Sequence, residues 1–485
     1  MEKLTFYLND RRVEIDDLPP TTTLLGYLRE HAGLPGTKEG CAEGDCGACS
    51  VALLDPEMSG GPGYRTVCSC LLLLPMVHGR RIYTVEGLAG ADGGLHPAQA
   101  AIRDGAGSQC GYCTPGFALS LFEATYREDL DSDARRDDQL SGNLCRCTGY
   151  RPLHEALARV AGSRPDDRFR ERLSEEAEAA AAFSYRAGEN QRFFRPVDYD
   201  GLYDALDTNP DARIVCGGTD LGLEVTKGGK HHPCLVSVEA IPPFRRIVPI
   251  EGGHRIGSTV PLADVEVFAR EALPTLARML RFFGSRQIKH RGTLGGNVCN
   301  ASPVGDTPPV LLALDATMIA RSRHGERRIP AAEFWPAYRT TALQRGEVLA
   351  AVEIPRPSPR SLRAAYKVSK RRQLDIATVS ACFFVDLDPE ERVTEVRLAF
   401  GGMAATPARA PRAEGLLRGE PWSYERVAAA AAALDEDFTP IDDVRGSAWY
   451  RRTVARNLLL GFFDETRETK VPRLPDRPTA TVQVK

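Results

Sequence analysis

Closely spaced cysteines in two motifs constrain this chain more tightly than anything else in it. The later motif reads Gln109-Cys110-Gly111-Tyr112-Cys113-Thr114-Pro115-Gly116 and, after a polar gap, Gly142-Asn143-Leu144-Cys145-Arg146-Cys147-Thr148-Gly149-Tyr150-Arg151-Pro152. Each pair of thiols is followed by Thr and Pro and then an apolar run, Phe117 to Tyr126 and Leu153 to Val160. That is the pattern of a helix start: an oxygen-bearing cap, then a proline whose missing N–H costs nothing in the first turn. Two helix N-termini would aim free N–H groups at one sulfur-rich spot, which suits an anionic, thiolate-ligated metal centre. A thioredoxin-like pair leaves Cys145 and Cys147 unexplained and lacks a surrounding βαβ pattern. Structural zinc usually wants ligands a few residues apart, and a single residue separates Cys145 from Cys147. The spacing points to an iron–sulfur cluster, with zinc as the main alternative.

The earlier motif lies in a glycine-rich loop, Gly36-Thr37-Lys38-Glu39-Gly40-Cys41-Ala42-Glu43-Gly44-Asp45-Cys46-Gly47-Ala48-Cys49. Its C-x4-C-x2-C spacing is the plant-type ferredoxin run, which needs one more distant thiol to close a 2Fe–2S centre. Cys68 and Cys70 both qualify, and spacing does not separate them. The glycines let the backbone fold tightly over a cluster and turn its N–H groups toward sulfur. Two cluster motifs in series on separate domains read as an electron wire, the alternative being a zinc-stabilised scaffold or redox sensor.

The chain has 485 residues, enough for about three domains. A net charge of -3 gives no electrostatic case for nucleic acid. Thirteen cysteines without a secretory signal argue for a reducing compartment. No apolar run approaches transmembrane length, so a soluble cytoplasmic protein without membrane contact is expected. Before the first motif, Lys3 to Leu8 and Arg11 to Ile15 alternate in polarity around Asn9-Asp10, a hairpin signal, and Thr23 to His31 has helical character. Between Arg159 and Gln191 charge and alanine dominate without a sustained apolar stripe, which reads as a solvated linker, with the next domain opening near Phe193.

Two further glycine loops follow. Gly217-Gly218-Thr219-Asp220-Leu221-Gly222 succeeds the strand-like Arg213 to Cys216, and Gly292-Thr293-Leu294-Gly295-Gly296-Asn297 continues to Ser302 and Asp306. Neither is a G-x-G-x-x-G or a P-loop, so neither carries a Rossmann or Walker label. Such loops can still clasp a pyrophosphate between backbone N–H groups, with Ser302 and Asp306 bonding ribose or phosphate. A side chain added at Gly295 or Gly296 would then obstruct the cofactor. Cys216, Cys234, Cys299 and Cys382 are expected in cores.

These motifs carry a resemblance. Gly40 to Cys49, Thr84-Val85-Glu86-Gly87-Leu88, Gln109 to Gly116, Asn143 to Pro152, Thr293 to Asn297 and Gly401-Gly402-Met403 resemble the small, iron–sulfur and flavin subunit of the bacterial xanthine dehydrogenases, in the molybdenum hydroxylase family. The resemblance implies an α+β multidomain chain. Its parts would be a β-grasp 2Fe–2S ferredoxin domain (1–88), an α-helical 2Fe–2S domain (89–162), a linker (163–190), an α/β FAD-binding domain of the vanillyl-alcohol-oxidase type (191–360), an α+β C-terminal flavoprotein domain (361–466) and a tail (467–485). It implies Cys41, Cys46, Cys49 and Cys70 as ligands of one cluster, with Cys68 spare, and Cys110, Cys113, Cys145 and Cys147 as ligands of the other. The flavin contacts it implies are Ile214, Val215, Cys216, Gly217, Gly218, Thr219, Asp220, Leu221, Phe283, Thr293, Leu294, Gly295, Gly296, Asn297, Asp306, Leu349 and Lys367. It further implies a large partner subunit carrying molybdopterin, a heterotetramer of two small and two large chains, and electron flow to FAD and on to NAD during purine oxidation. No catalytic residue for the purine is visible in this chain. At Lys370-Arg371-Arg372-Gln373-Leu374-Asp375 the sequence departs from the pattern, with Leu374 where NAD-using relatives commonly carry an acidic residue.

Overall fold

The computed structural model describes residues 2–467 apart from 57, 59–60, 91–92, 176–179 and 188–190. The prolines expected in a loose tail, Pro472, Pro475 and Pro478, lie outside the described residues.

The first domain is a β-grasp. Its five-stranded sheet runs in the order Arg11–Ile15, Leu4–Leu8, Arg81–Tyr83, Ser50–Asp55, Gly63–Cys68. The Asn9-Asp10 hairpin forms with both residues at positive φ, 51° and 64°, which matches the twist of the flanking strands. Leu24, Leu25 and Leu28 are buried on one helical segment, opened by Thr23, whose hydroxyl accepts from Gly26 N at 3.1 Å. The second domain is helical, with Pro97–Asp104, Thr114–Thr125, Asp133–Leu140 and Arg151–Val160. Every residue from Gly116 to Thr125 is buried, so this helix is the domain's axis.

The expected threonine caps do not form. Cys113 occupies the N-cap of Thr114–Thr125 with no side-chain bond, and Tyr150, at φ 66°, occupies that of Arg151–Val160. The two threonine hydroxyls shape the thiol loops instead. Thr114 bonds Ser108 at 2.7 Å, and Thr148 meets Cys145 Sγ at 3.1 Å while accepting from Tyr150 N at 3.3 Å.

The stretch expected to be a linker is partly built into the fold. Asp167 caps the short helix Arg168–Arg172, and its Phe169 is buried against Tyr64, Tyr83, Phe122 and Tyr126. Strand Phe183–Ala187 then pairs with Gln191–Arg195, so the third domain's sheet starts before Phe193. Isolated aromatic anchors in a charged stretch make this order, and a composition average hides them.

The third domain has two sheets. A four-stranded mixed sheet is ordered Phe183–Ala187, Gln191–Arg195, Cys234–Ser237, Arg213–Val215, and a five-stranded antiparallel sheet is ordered Ile247–Ile250, Gly253–Gly257, Val348–Pro355, Thr317–Ser322, Gly325–Pro330. The fourth domain is an antiparallel sheet, Leu362–Val368, Val379–Leu387, Val393–Gly401, Ala408–Arg409, packed on helices Tyr424–Asp437 and Ala448–Thr466. Ser447 caps the last helix, accepting from Tyr450 N at 3.2 Å. Among the described residues no helix is long and apolar enough to cross a membrane.

Buried ion pairs fasten the first three domains together. Arg65 on the first sheet reaches Asp264 of the third domain at 2.7 Å, Arg286 of the third domain reaches Glu123 of the second at 2.7 Å, and Arg80 of the first reaches Glu239 of the third at 2.6 Å. Burial pushes the Glu123 and Glu239 carboxyls up, but Arg286 beside the one and Arg291 beside the other outweigh it and leave both below the ordinary carboxylate range.

Candidate electron-transfer site

In the first thiol loop three backbone N–H groups, of Glu43, Asp45 and Cys46, point at Cys41 Sγ from 3.3 to 3.4 Å. The hydrogen bond with Cys46 and these donors outweigh desolvation and hold the Cys41 thiol down at about 5, so the metal-binding thiolate is the favoured form. Gly40 and Gly47 are required by close approach: a Cβ on Gly40 would lie 2.7 Å from Cys46 Sγ, and one on Gly47, at φ 69°, 2.1 Å from Gly142 O. Cys49 Sγ lies 3.3 Å from Cys70 Sγ, and both are buried. Cys68 is buried beside them, with Sγ 3.7 Å from Gly44 O.

The second thiol site pairs in the same way. Cys147 Sγ is 3.5 Å from Cys110 Sγ, both exposed, and Cys113 contacts Cys145 behind them. The second site therefore offers its thiols two and two, and the first offers Cys41 with Cys46 and Cys49 with Cys70, with Cys68 as a fifth thiol beside the latter pair. Among the described residues no three His, Cys, Asp or Glu side chains converge as ligands of one metal ion. Two pairs suit a dinuclear iron–sulfur centre, in which each iron takes two thiolates, better than a single tetrahedral zinc.

The two sites touch through backbone. Leu144 N–H donates to Cys46 O at 3.0 Å, so one hydrogen bond joins a residue adjoining Cys145 to Cys46 itself. Asn143 clamps this junction: its amide nitrogen donates to Gly47 O at 3.4 Å, while its amide oxygen accepts from Ser120 Oγ at 2.6 Å and from Gln287 Nε2 of the third domain at 3.1 Å. A Cβ on Gly116 would lie 2.2 Å from Gly47 O, so the approach depends on glycine on both sides.

A cavity of about 1090 Å³ opens on the other side of the first thiol site. Ile214 to Leu221, Phe283, Thr293, Gly295, Gly296, Asn297, Asp306, Leu349 and Lys367 all line it. Leu294 does not: its side chain is fully buried in the core beneath the loop. The two glycine loops meet backbone to backbone, since a Cβ on Gly217 would lie 1.9 Å from Arg291 O. The expected roles of the paired glycines divide. A Cβ on Gly295 would collide with Ser258 at 2.5 Å, whereas one on Gly296 meets only Thr293 Oγ1 at 3.0 Å. Cys216 and Cys299, expected in cores, line the cavity, while Cys234 and Cys382 are buried.

The polar lining fits a large hydrogen-bonding cofactor such as FAD. Lys367 Nζ donates to Asp306 Oδ2 at 2.6 Å and to Phe282 O at 2.9 Å. Burial pushes the Asp306 carboxyl up despite that ammonium. Asp306 Oδ1, Ser258 Oγ and Thr259 Oγ1 are buried without partners at the cavity wall, and a cofactor bearing hydroxyls and a pyrophosphate would satisfy such groups. Ser258 and Thr259 escaped sequence reasoning because they lie in neither glycine loop, and the collision at Gly295 is the trace of their position. Glu43, Asp45 and Leu71 of the first domain complete the wall, with Leu71 directly following Cys70. Leu374, at φ 54°, also lines it, as do Arg371 and Ile376.

Comparison with known proteins gives these sites names. Family models match in sequence order: a 2Fe-2S iron-sulfur cluster binding domain over residues 6–73, a [2Fe-2S] binding domain over 84–158, an FAD binding domain in molybdopterin dehydrogenase over 185–357 and a CO dehydrogenase flavoprotein C-terminal domain over 364–466. The xanthine dehydrogenase of Emericella nidulans is 31% identical over 95% of this chain and 38% of its own length. The xanthine dehydrogenase/oxidase of Rattus norvegicus is 30% identical over 95% of this chain and 39% of its own. The chain thus spans about two-fifths of the length of these relatives. Among solved structures, carbon monoxide dehydrogenase from Hydrogenophaga pseudoflava matches with a TM-score of 0.53 at 25% identity, covering 56% of this chain and 94% of the other. Quinoline 2-oxidoreductase from Pseudomonas putida 86 matches at 0.52 and 27%, with the same coverage. Carrying two 2Fe–2S domains, an FAD domain and a flavoprotein C-terminal domain in this order, the chain belongs to the xanthine dehydrogenase-type molybdenum hydroxylases and corresponds to their iron–sulfur and FAD portion.

Proposed function

We propose that this chain is the electron-transfer subunit of a xanthine dehydrogenase, relaying electrons from a molybdenum cofactor on a partner subunit to NAD+ during hypoxanthine and xanthine oxidation. Cys110, Cys113, Cys145 and Cys147 would hold the entry cluster, Cys41, Cys46, Cys49 and Cys70 the inner one, and the cavity FAD. Bound there, the clusters would carry single electrons and the flavin would collect two for hydride transfer. The observation that carries this reading is the serial order of the three sites. The Cys110 and Cys147 pair is exposed at one end, the Leu144 N–H to Cys46 O bond joins the two thiol sites, and Leu71, next to Cys70, lines the cavity at the other end.

The chain's own residues have definite tasks in this scheme. Asn143 and Gln287 keep the two thiol loops in register, and the backbone donors of Glu43, Asp45 and Cys46 stabilise thiolate at Cys41. Lys367 orients Asp306, whose unpartnered oxygen would face the cofactor. Exposure at Cys110 and Cys147 supports docking of a molybdopterin-bearing chain there, in a heterotetramer of two small and two large subunits. The names of the similar proteins favour xanthine as substrate, while the carbon monoxide and quinoline enzymes among the structural relatives keep an aldehyde or N-heterocycle oxidation as the second reading. Leu374 at the cavity favours a second reading for the acceptor, oxygen or another carrier in place of NAD.

Co-purification of the chain with its partner, followed by assay of xanthine-dependent reduction of NAD+, tests the proposal. Two 2Fe–2S signals, bound FAD and xanthine-to-NAD turnover in the complex are expected. Xanthine oxidation by the isolated chain, or a colourless zinc protein, refutes it.

A further inference from the structure

The outer thiol site is assembled from two segments remote in sequence, 109–116 and 143–149, and each has its own attachment to the inner thiol loop. From the later segment Leu144 N–H donates to Cys46 O at 3.0 Å, and the Asn143 amide donates to Gly47 O at 3.4 Å. From the earlier one the Tyr112 hydroxyl donates to Glu39 O. Among the described residues this is the hydrogen bond that ties residues 110–113 to the inner loop, since Gly116 contributes only its close approach to Gly47 O. The Tyr112 ring is 49% exposed, so burial does little to hold it, and an exposed neutral hydrogen bond adds little to stability. What such a bond can do is fix a position.

Both ends of it are themselves held. Glu39 stands two residues before Cys41, and its neighbour Lys38 closes the inner loop by donating its N–H to Ala48 O at 3.0 Å. Arg29 donates to Thr37 O at 3.0 Å and Gly36 N–H to Glu86 at 2.7 Å, which fasten the same segment to the body of the β-grasp domain. Tyr112 lies between two thiols in a turn where Thr114 N–H donates to Gly111 O at 3.3 Å. Gly111, at φ 82°, gives that turn a backbone conformation that other residues rarely adopt. A site attached through one segment alone can pivot about it. A second attachment, made by the other segment, fixes both its separation and its tilt.

We propose that Tyr112 is a positioning residue for electron transfer between the two clusters, its hydroxyl bond to Glu39 O fixing the 110–113 half of the outer site against the inner loop and so setting the gap an electron crosses. In that step one electron leaves the outer cluster, which is oxidised, and enters the inner one, which is reduced. No bond forms or breaks and no proton moves, so separation, orientation and driving force set the rate, and Tyr112 acts on the first two. This rests on the ligand assignment made above, and the test separates the two.

Tyr112→Phe, which keeps the ring and deletes the donor, and Tyr112→Leu, which removes both, are made in the full chain carrying its clusters and FAD. With both clusters reduced, electron paramagnetic resonance reads the spin–spin interaction between them, and after a pulse of reducing radicals absorbance follows the electron from the exposed outer cluster to the flavin. In Tyr112→Phe both cluster signals, both midpoint potentials and the FAD content should match wild type, while the spin–spin splitting changes and the intramolecular transfer slows several-fold. Tyr112→Leu should slow it to the same extent, because the hydroxyl carries the effect. Unchanged splitting and transfer in Tyr112→Phe overturn the proposal, as does slowing in Tyr112→Leu alone or a midpoint shift that accounts for the slowing. A Phe variant altered only in its binding of the partner makes Tyr112 a docking residue and overturns it as well. Absence of either cluster signal from the wild-type chain is a different result, which defeats the ligand assignment and the proposal with it.

Discussion

Arg65 is the sharpest test of how the cluster domains are fastened to the flavin domain. Its guanidinium is 1% exposed, with Nε 2.7 Å from Asp55 and Nη2 2.9 and 2.7 Å from the two oxygens of Asp264. Arg65→Met keeps the unbranched stem of the side chain as far as Nε and removes the guanidinium and its charge. Asp55 retains Arg245 at 3.3 Å, but Asp264, in the first turn of helix Leu262–Ala272, is left buried with its bidentate partner gone. Stranding one member of a buried pair costs about 3–5 kcal/mol. With a urea slope of about 2–3 kcal/mol per molar, the unfolding midpoint should fall by about 1–2.5 M. Flavin fluorescence and cluster absorbance, followed together, report the transition at both faces of the junction. Adding Asp264→Leu removes the stranded carboxylate, so the double variant should be more stable than Arg65→Met alone. A single variant within about 1 kcal/mol of wild type, or a double variant destabilised by the sum of its parts, refutes the assignment of Arg65 as the lock.

Acid should loosen the same junction at His290 and the helical domain at His96. Burial holds His290 down to about 3 and His96 to about 4, so both are neutral in the fold but protonate from pH 6.5 downward once unfolded. Stability is then complete above pH 6.5, and each of these histidines removes up to about 2 kcal/mol between pH 6.5 and 5. The depressed carboxyls of Glu123 and Glu239 add a loss only below the ordinary glutamate value of 4.5. A urea midpoint that stays level from pH 6.5 to 5, or a slope unaltered by His290→Gln, would contradict this. At the cavity, Gly296→Ala should weaken FAD retention while sparing both clusters, whereas Gly295→Ala should impair folding through its collision with Ser258. Full FAD occupancy in Gly296→Ala, measured by flavin release on denaturation, places the cradle elsewhere. Cys113→Ser should spare reduction of an artificial dye by NADH at the flavin yet abolish xanthine-to-NAD turnover in the assembled enzyme, and turnover that survives without the outer cluster's signal defeats the serial wire.

What could be read from the sequence follows the range of the interaction involved. The thiol sites depend on local spacing, and the C-x4-C-x2-C loop brings Cys41 and Cys46 together without help from distant parts of the chain. The cavity depends on two glycine loops that spacing identifies, and these do meet, but Leu294 shows the limit: it opens the helix Leu294–Cys299, and only packing decides that its side chain enters the core while Thr293, Gly295, Gly296 and Asn297 line the cavity. Ser258 and Thr259 have no local signature, because they reach the wall through distant contacts, Ser258 with Gly295 and Thr259 with Phe244 O. The charged stretch after Arg159 misled for a related reason. Its order comes from Phe169, Phe183 and Tyr185, three aromatic anchors whose partners, such as Phe122, His78 and Leu18, lie far away in sequence.

The junctions between domains were the least accessible, and they matter most for a relay. Each ion pair there joins residues remote in sequence, such as Glu123 with Arg286 and Arg80 with Glu239, and none belongs to a recognisable motif. A relay needs its stations held at fixed separation, and the Arg65–Asp264 pair does not do this alone. The solution in this chain is to concentrate the fastening around the helix Arg286–Lys289. Arg286 grips Glu123, Gln287 grips Asn143 and Ser120, Lys289 grips Asp138 at 3.3 Å, and Ile288 packs on Gly44 of the inner thiol loop. Four consecutive residues of the flavin domain thus bear on both cluster domains. The same segment runs directly into Gly292 and Thr293 at the cavity wall. The mechanical frame that sets the distance between the two thiol sites is therefore continuous with the loop that shapes the cofactor cavity, and a shift of this helix would disturb both distances at once.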